Sequence, residues 1–118
     1  MSCIAGVYNI TCNQGATLQR SITWTDSAKN PYNLTGYTAR MQVRSNAASS
    51  TVVLELTTEN GRISLGTSQW NVNLTVPASV TTNLTPGLYV YDLELVSGGG
   101  VVSRIVEGNF NIKAEVTR

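Results

Sequence analysis

Histidine is absent from this chain of 118 residues. That removes the side chain used most often as a general base near neutral pH, and the commonest metal ligand with it. Cysteine occurs twice, at Cys3 and Cys12, a spacing that fits no metal knuckle. The pair reads as two reduced small hydrophobes, with a disulfide stapling the N-terminal segment as the alternative. Charge is scarce too: 13% of residues are ionised and the net charge is +1. A basic stripe for nucleic acid or an anionic membrane is therefore missing. No apolar run approaches the ~20 residues of a membrane span. Residues 1–15 lack the basic start and continuous apolar run of a secretory leader. The expectation is a protein made and used in the cytoplasm, or released by lysis.

What the chain has instead is Thr, Asn and Ser set among alternating apolar residues, which suits strands and polar turns. Its length predicts one domain, spanning residues 1–118, with room for a hydrophobic core. The organising stretch is GLYVYDLELVSGGGVVSRIVEGNF at 87–110. Tyr89, Tyr91, Leu93 and Leu95 fall on one strand face, and Asp92 and Glu94 on the other. Ser97-Gly98-Gly99-Gly100 supplies a turn. Val102, Arg104, Val106, Gly108, Phe110 and Ile112 are expected on one face of the return strand. The alternation continues through Ala114 and Val116.

Earlier in the chain, residues 5–12 read as one short strand, followed by the turn Asn13-Gln14-Gly15. Residues 16–25 form the next, with Leu18, Ile22 and Trp24 on one face. Residues 26–33 make a loop around Asn30-Pro31. In residues 38–44 Ala39, Met41 and Val43 face inward, and Arg40, Gln42 and Arg44 outward. Residues 45–50 are a small polar link. Val52, Leu54 and Leu56 line the next strand, and Asn60-Gly61 predicts a two-residue hairpin. Residues 70–76 alternate again, with Trp70, Val72, Leu74 and Val76 on one side, until Pro77 stops them. Residues 78–84 fit a loop or one helical turn. About seven to eight short antiparallel strands without a long helix predict an all-β sandwich. The four Asn-x-Thr sites at Asn9, Asn33, Asn73 and Asn83 read as turn residues beside β-favouring Thr.

Catalytic chemistry finds little material here. There is no Gly-x-Ser-x-Gly elbow, and the glycine turn lacks the Lys and following helix of a phosphate loop. Asp92, Glu94 and Glu107 raise the question of a carboxylate site. Strand positions do not shape a Ca²⁺ loop, and a chain this small offers little cleft. Cross-strand pairing with Arg40, Arg44 and Arg104 accounts for them. No catalytic residue, metal or cofactor is assigned. Most aromatics alternate into the apolar face, which leaves Tyr32 and Tyr8 as the ones free to stack on a ligand.

Several stretches together resemble a known group: Asn13-Gln14-Gly15, LTGYTARMQVR at 34–44, LELTTENGRISLG at 54–66, and PGLYVYDLELVSGGGVVSRIVEGNFNIKAEVTR at 86–118. The chain is similar to small immunoglobulin-like domains of tailed-phage virions, such as the N-terminal domain of baseplate upper proteins. The resemblance implies an immunoglobulin-like sandwich that attaches to other virion proteins, not an enzyme. It also implies an attachment domain without the fibre-forming arm, since the sequence stops at Arg118 after its last strand.

The expected function is that of a structural protein of the virion, assembled in the host cytoplasm. It would be an adaptor in tail, neck or baseplate. Capsid decoration is the alternative, and a carbohydrate-binding module for adsorption is a further one. Expected partners are other virion proteins and copies of the chain in a symmetric assembly, not nucleic acid or membrane. Open strand edges are the candidate contacts: Ser2, Cys3, Ile4 and Val7 at one end, and Lys113, Glu115, Val116 and Arg118 at the other. Tyr32, Ser45 and Asn46 are the loop candidates. The counter-reading is that both ends are paired within the domain.

Overall fold

The computed structural model describes residues 6–24, 33–66 and 71–116. Ser2, Cys3, Ile4, Tyr32, Trp70 and Arg118 lie outside these residues, as does most of the loop around Asn30-Pro31. Two sheets pack face to face as an immunoglobulin-like β-sandwich. The larger contains β1 (Gly6–Val7), β2 (Ile10–Asn13), β4 (Thr38–Arg44), β5 (Leu54–Thr57), β8 (Gly87–Val96) and β9 (Val102–Lys113). The smaller contains β3 (Leu18–Thr23), β6 (Ile63–Leu65) and β7 (Asn71–Val76). A single short helix, α1 (Ala78–Thr81), links β7 to β8. None of the helices among the described residues is long and apolar enough to cross a membrane.

Strand order in the larger sheet is β1-β9-β8-β4-β5, with β2 also on β9; in the smaller it is β3-β7-β6. This is the two-sheet immunoglobulin layout, with one extra strand beside the central trio of the larger sheet. A tyrosine corner accompanies it: Tyr89, near the start of β8, donates its hydroxyl to the Thr85 carbonyl at 2.7 Å. Tyr91, two residues on, stands where antibody domains carry the second cysteine of their inter-sheet disulfide.

The core follows from period-two alternation. Ala39, Met41 and Val43 of β4, Leu93 and Leu95 of β8, and Val72, Leu74 and Val76 of β7 are buried, and Phe110 is fully enclosed. Tyr91 meets Phe110 edge to face at 6.2 Å, an arrangement that suits their quadrupoles. Trp24 and Tyr37 make a second such pair at 6.2 Å.

Four expectations need correction. First, residues 5–12 are not one antiparallel strand. β1 and β2 both run parallel to β9 with the same offset (Gly6↔Val106, Ile10↔Phe110). Between them the Asn9 carboxamide takes the Asn109 N–H at 3.0 Å, replacing a backbone acceptor.

Second, β9 does not keep one face throughout. Leu93 pairs with Val106 but Glu94 with Arg104, so Ile105 is an extra residue in a β-bulge. Ile105 and Val106 are consequently both buried, and Arg104 and Val102 turn outward rather than joining Phe110. Past Ile112 the inward alternation ends with the strand: Ala114 is exposed and Val116 is 92% exposed.

Third, Asn60-Gly61 does not close a hairpin. β5 pairs with β4, while β6 pairs with β7 in the other sheet, so the turn carries the chain between sheets. Gly61 still takes the positive φ (80°) expected there. Fourth, Val52 lies outside β5 and is exposed.

Candidate contact surfaces

Backbone groups on the outer sides of the edge strands are the first question for a protein expected to work by contact. Gln14 N–H donates to the Lys113 carbonyl at 2.9 Å. Even-numbered residues of β2 therefore turn their backbone to β9, and Thr11 turns outward. Arg20 covers that outward carbonyl: Nη2 donates to Thr11 O at 3.0 Å and Nη1 to Gln19 O at 2.8 Å. One guanidinium thus joins the edges of both sheets along this side. It also stands near Cys12, a fully buried free thiol. Burial pushes that thiol upward in pKa, with Arg20 acting against the shift.

The opposite edge is covered as well. On β5 the Thr57 N–H donates to Asn60 Oδ1 at 3.0 Å, and the Glu55 carbonyl accepts from Asn60 Nδ2 at 3.1 Å and Arg62 Nη1 at 2.9 Å. Side chains that occupy edge groups blunt the addition of a foreign strand. The terminal strands expected as contact edges are paired within the domain on one side, and by the same parity as Thr11, Val7 turns its own backbone groups away from β9. Val7 is paired with Glu107, and Lys113 with Asn13. The Glu115 N–H is held by Gln14 Oε1 at 3.0 Å. Val116 remains exposed, as do Ser45 and Asn46, whose link is closed by the Asn46 carboxamide accepting from Ala48 N–H at 2.9 Å.

The outer face of the larger sheet is the second surface. Register places Glu107, Asp92, Gln42 and Glu55 in one cross-strand row, and Arg104, Glu94, Arg40 and Thr57 in the next. Arg40 Nε meets Glu94 at 2.8 Å, Arg104 meets Asp92 at 3.3 Å and Glu107 at 3.7 Å, and Gln42 donates to Glu55 at 2.8 Å. The sequence reading of cross-strand pairing holds for Arg40 and Arg104. Arg44 differs, donating instead to the Ser49 carbonyl and to Gln42 Oε1. The bulge at Ile105 is what brings Arg104 to this face. Partial burial raises the Asp92 carboxyl above its usual range; Arg104 pulls it back, and neighbouring Glu94 and Glu107 add to the rise.

Apolar residues surround these charges. Leu88 shares the outer face of β8 with Asp92 and is 67% exposed. Val102 lies beside Val96, and Val7 beside Glu107 at 77% exposed. Between β4, β8 and β9 lies a shallow depression of about 620 Å³, bordered by Arg44, Asn46, Asp92, Arg104 and Asn109. No group of three or more His, Cys, Asp or Glu among the described residues is placed to hold a metal ion. Tyr8 is 38% exposed, while Trp24, Tyr37 and Tyr89 pack against the core.

A third site went unread in the sequence. Thr81 of α1 is fully buried, and its hydroxyl accepts from Gly15 N–H at 3.1 Å and donates to the Ala16 carbonyl at 2.8 Å. Gln14 Nε2 reaches the Leu84 carbonyl at 3.0 Å. Together they lock the Asn13-Gln14-Gly15 turn to the corner before β8. Thr81 sits in a polar run, so no local pattern marks it. The tyrosine corner did have a signal, a Tyr two residues after Pro-Gly at a strand start.

Comparisons add little beyond this geometry. No family model matches the chain, and neither does any curated protein. Among solved structures, Drosophila OTK extracellular domains 3–5 align at 11% identity with a TM-score of 0.38. The alignment covers 88% of this chain and 32% of that one. The sandwich assignment therefore rests on the chain's own strand order and register.

Proposed function

We propose that this chain is a non-enzymatic structural module of a tailed-phage virion, an adaptor or assembly piece in tail, neck or baseplate. It works by protein–protein contact with other virion proteins and with copies of itself. The observation that carries the contact reading is the exposure of Val7, Leu88 and Val102 on one face of the larger sheet, around charges already paired with one another. Apolar positions around these charges suit a static contact, and the internal pairing reduces the charge left to neutralise on docking. Side chains occupy the Thr11 carbonyl on one edge of that sheet and the Thr57 N–H and Glu55 carbonyl on the other, which favours the face over these edge positions for a partner. The virion setting is supported by the resemblance of residues 34–44, 54–66 and 86–118 to phage immunoglobulin-like domains.

Mass photometry of the purified chain, alone and mixed with isolated tails or stripped heads, tests this reading. A defined oligomer or binding to tails supports it, and Leu88→Glu should then abolish the contact while the circular dichroism spectrum stays unchanged. Binding to heads alone would move the assignment to capsid decoration. A monomer that binds neither would refute the structural role.

A further inference from the structure

The Asn60-Gly61 turn carries chemistry that the contact role does not use. In a flexible chain, Asn followed by Gly is prone to self-modification, because Gly has no Cβ to hinder approach of its nitrogen. The Gly61 nitrogen attacks Asn60 Cγ, a new N–C bond closes a succinimide ring, and the side-chain nitrogen leaves as ammonia. Water then opens either carbonyl of the ring, giving aspartate or isoaspartate. Asn60 and Gly61 are both exposed, so water is at hand.

The fold, however, occupies every polar atom of the Asn60 side chain. Oδ1 accepts from Thr57 N–H and from Arg62 N–H, each at 3.0 Å, and Nδ2 donates to the Glu55 carbonyl at 3.1 Å. The Asn60 N–H is itself held by Thr57 Oγ1 at 2.9 Å. Ring closure expels Nδ2 and so gives up its bond to the Glu55 carbonyl, while the two N–H groups on Oδ1 hold the carboxamide in its native position. We infer that Asn60 is a latent deamidation site, shut by the native turn and released when the corner between β5 and β6 opens. The consequence is local and specific. Isoaspartate adds a carbon to the backbone path and removes the Nδ2 donor, so the Glu55 carbonyl keeps only Arg62 Nη1 and the cover over the edge of β5 is weakened toward strand addition.

The test follows the intact chain by peptide mapping with isoaspartate detection, at mildly alkaline pH, folded and in guanidinium. Deamidation at Asn60 should be slower in the folded protein by more than about tenfold, as expected for a reaction that needs local opening. Arg62→Ala, which loses the second donor to Glu55, should raise the folded rate and leave the denatured rate unchanged. Equal rates in the two states would overturn the inference. Faster loss in the folded state would also overturn it, since the two N–H groups on Oδ1 would then be activating the carboxamide. An unchanged folded rate in Arg62→Ala would count against opening of this corner as the gate.

Discussion

Replacing Thr81 by Val separates the hydroxyl from the space it fills. The two side chains are nearly isosteric, so no cavity opens in a site with no solvent exposure. What is lost is the acceptor for Gly15 N–H and the donor to the Ala16 carbonyl. Ala16 is exposed and its carbonyl can turn to water, whereas Gly15 is half-buried. One orphaned backbone N–H costs about 1–3 kcal/mol. Thr81→Ser keeps the hydroxyl and gives up one methyl group, about 0.8 kcal/mol. Urea unfolding should therefore rank wild type above Ser and Ser above Val, by a midpoint shift at constant slope. Hydrogen exchange at Gly15 should quicken in Val and hold in Ser. If Val matched wild type, the hydroxyl bridge would contribute nothing net, and the reasoning from an unsatisfied donor would fail.

Other consequences are equally direct. In Gly108→Ala the new Cβ would stand 2.6 Å from the Tyr8 carbonyl oxygen and 2.8 Å from Asn9 Oδ1. The backbone there must move, and a loss above about 1 kcal/mol by thermal melting is expected, with no loss marking the β1–β9 contact as pliant. Asp92 holds its proton more tightly folded than unfolded, so it contributes a fall in stability as pH rises from the ordinary carboxylate value, about 3.9, through its raised folded value. Asp92→Asn should flatten that part of the stability–pH curve, and an unchanged curve would contradict the assignment. Burial, with Tyr8 adding to it, raises the Tyr91 phenol well above its usual pKa, and its hydroxyl donates to the Tyr8 carbonyl. Its share of stability is complete below about pH 10 and declines above it. Tyr91→Phe should remove that alkaline decline, as read by denaturant midpoints across the range, while lowering stability near neutrality.

Period-two alternation by itself determined most of the secondary structure, because which face a strand buries is written locally. Ala39, Met41 and Val43, the Tyr91–Leu95 series and Val72–Val76 all lie inside as their spacing requires. Glycine marked its turns for the same local reason, a positive φ at Gly15, Gly61 and Gly100. Partner choice is a different matter, since it depends on residues far apart in the chain. Asn60-Gly61 bends the chain as its local chemistry dictates, yet only the packing of two sheets decides that β5 and β6 part company there. The parallel docking of β1 and β2 on β9 and the bulge at Ile105 are likewise settled by register against distant strands. So are the covers that Arg20 places over the Thr11 carbonyl and Asn60 over Glu55 and Thr57. Residue order set the inward faces outside the β9 bulge; the tertiary structure decided the faces at the bulge and which surfaces stay open, because backbone groups at an edge are satisfied by whatever the fold brings beside them.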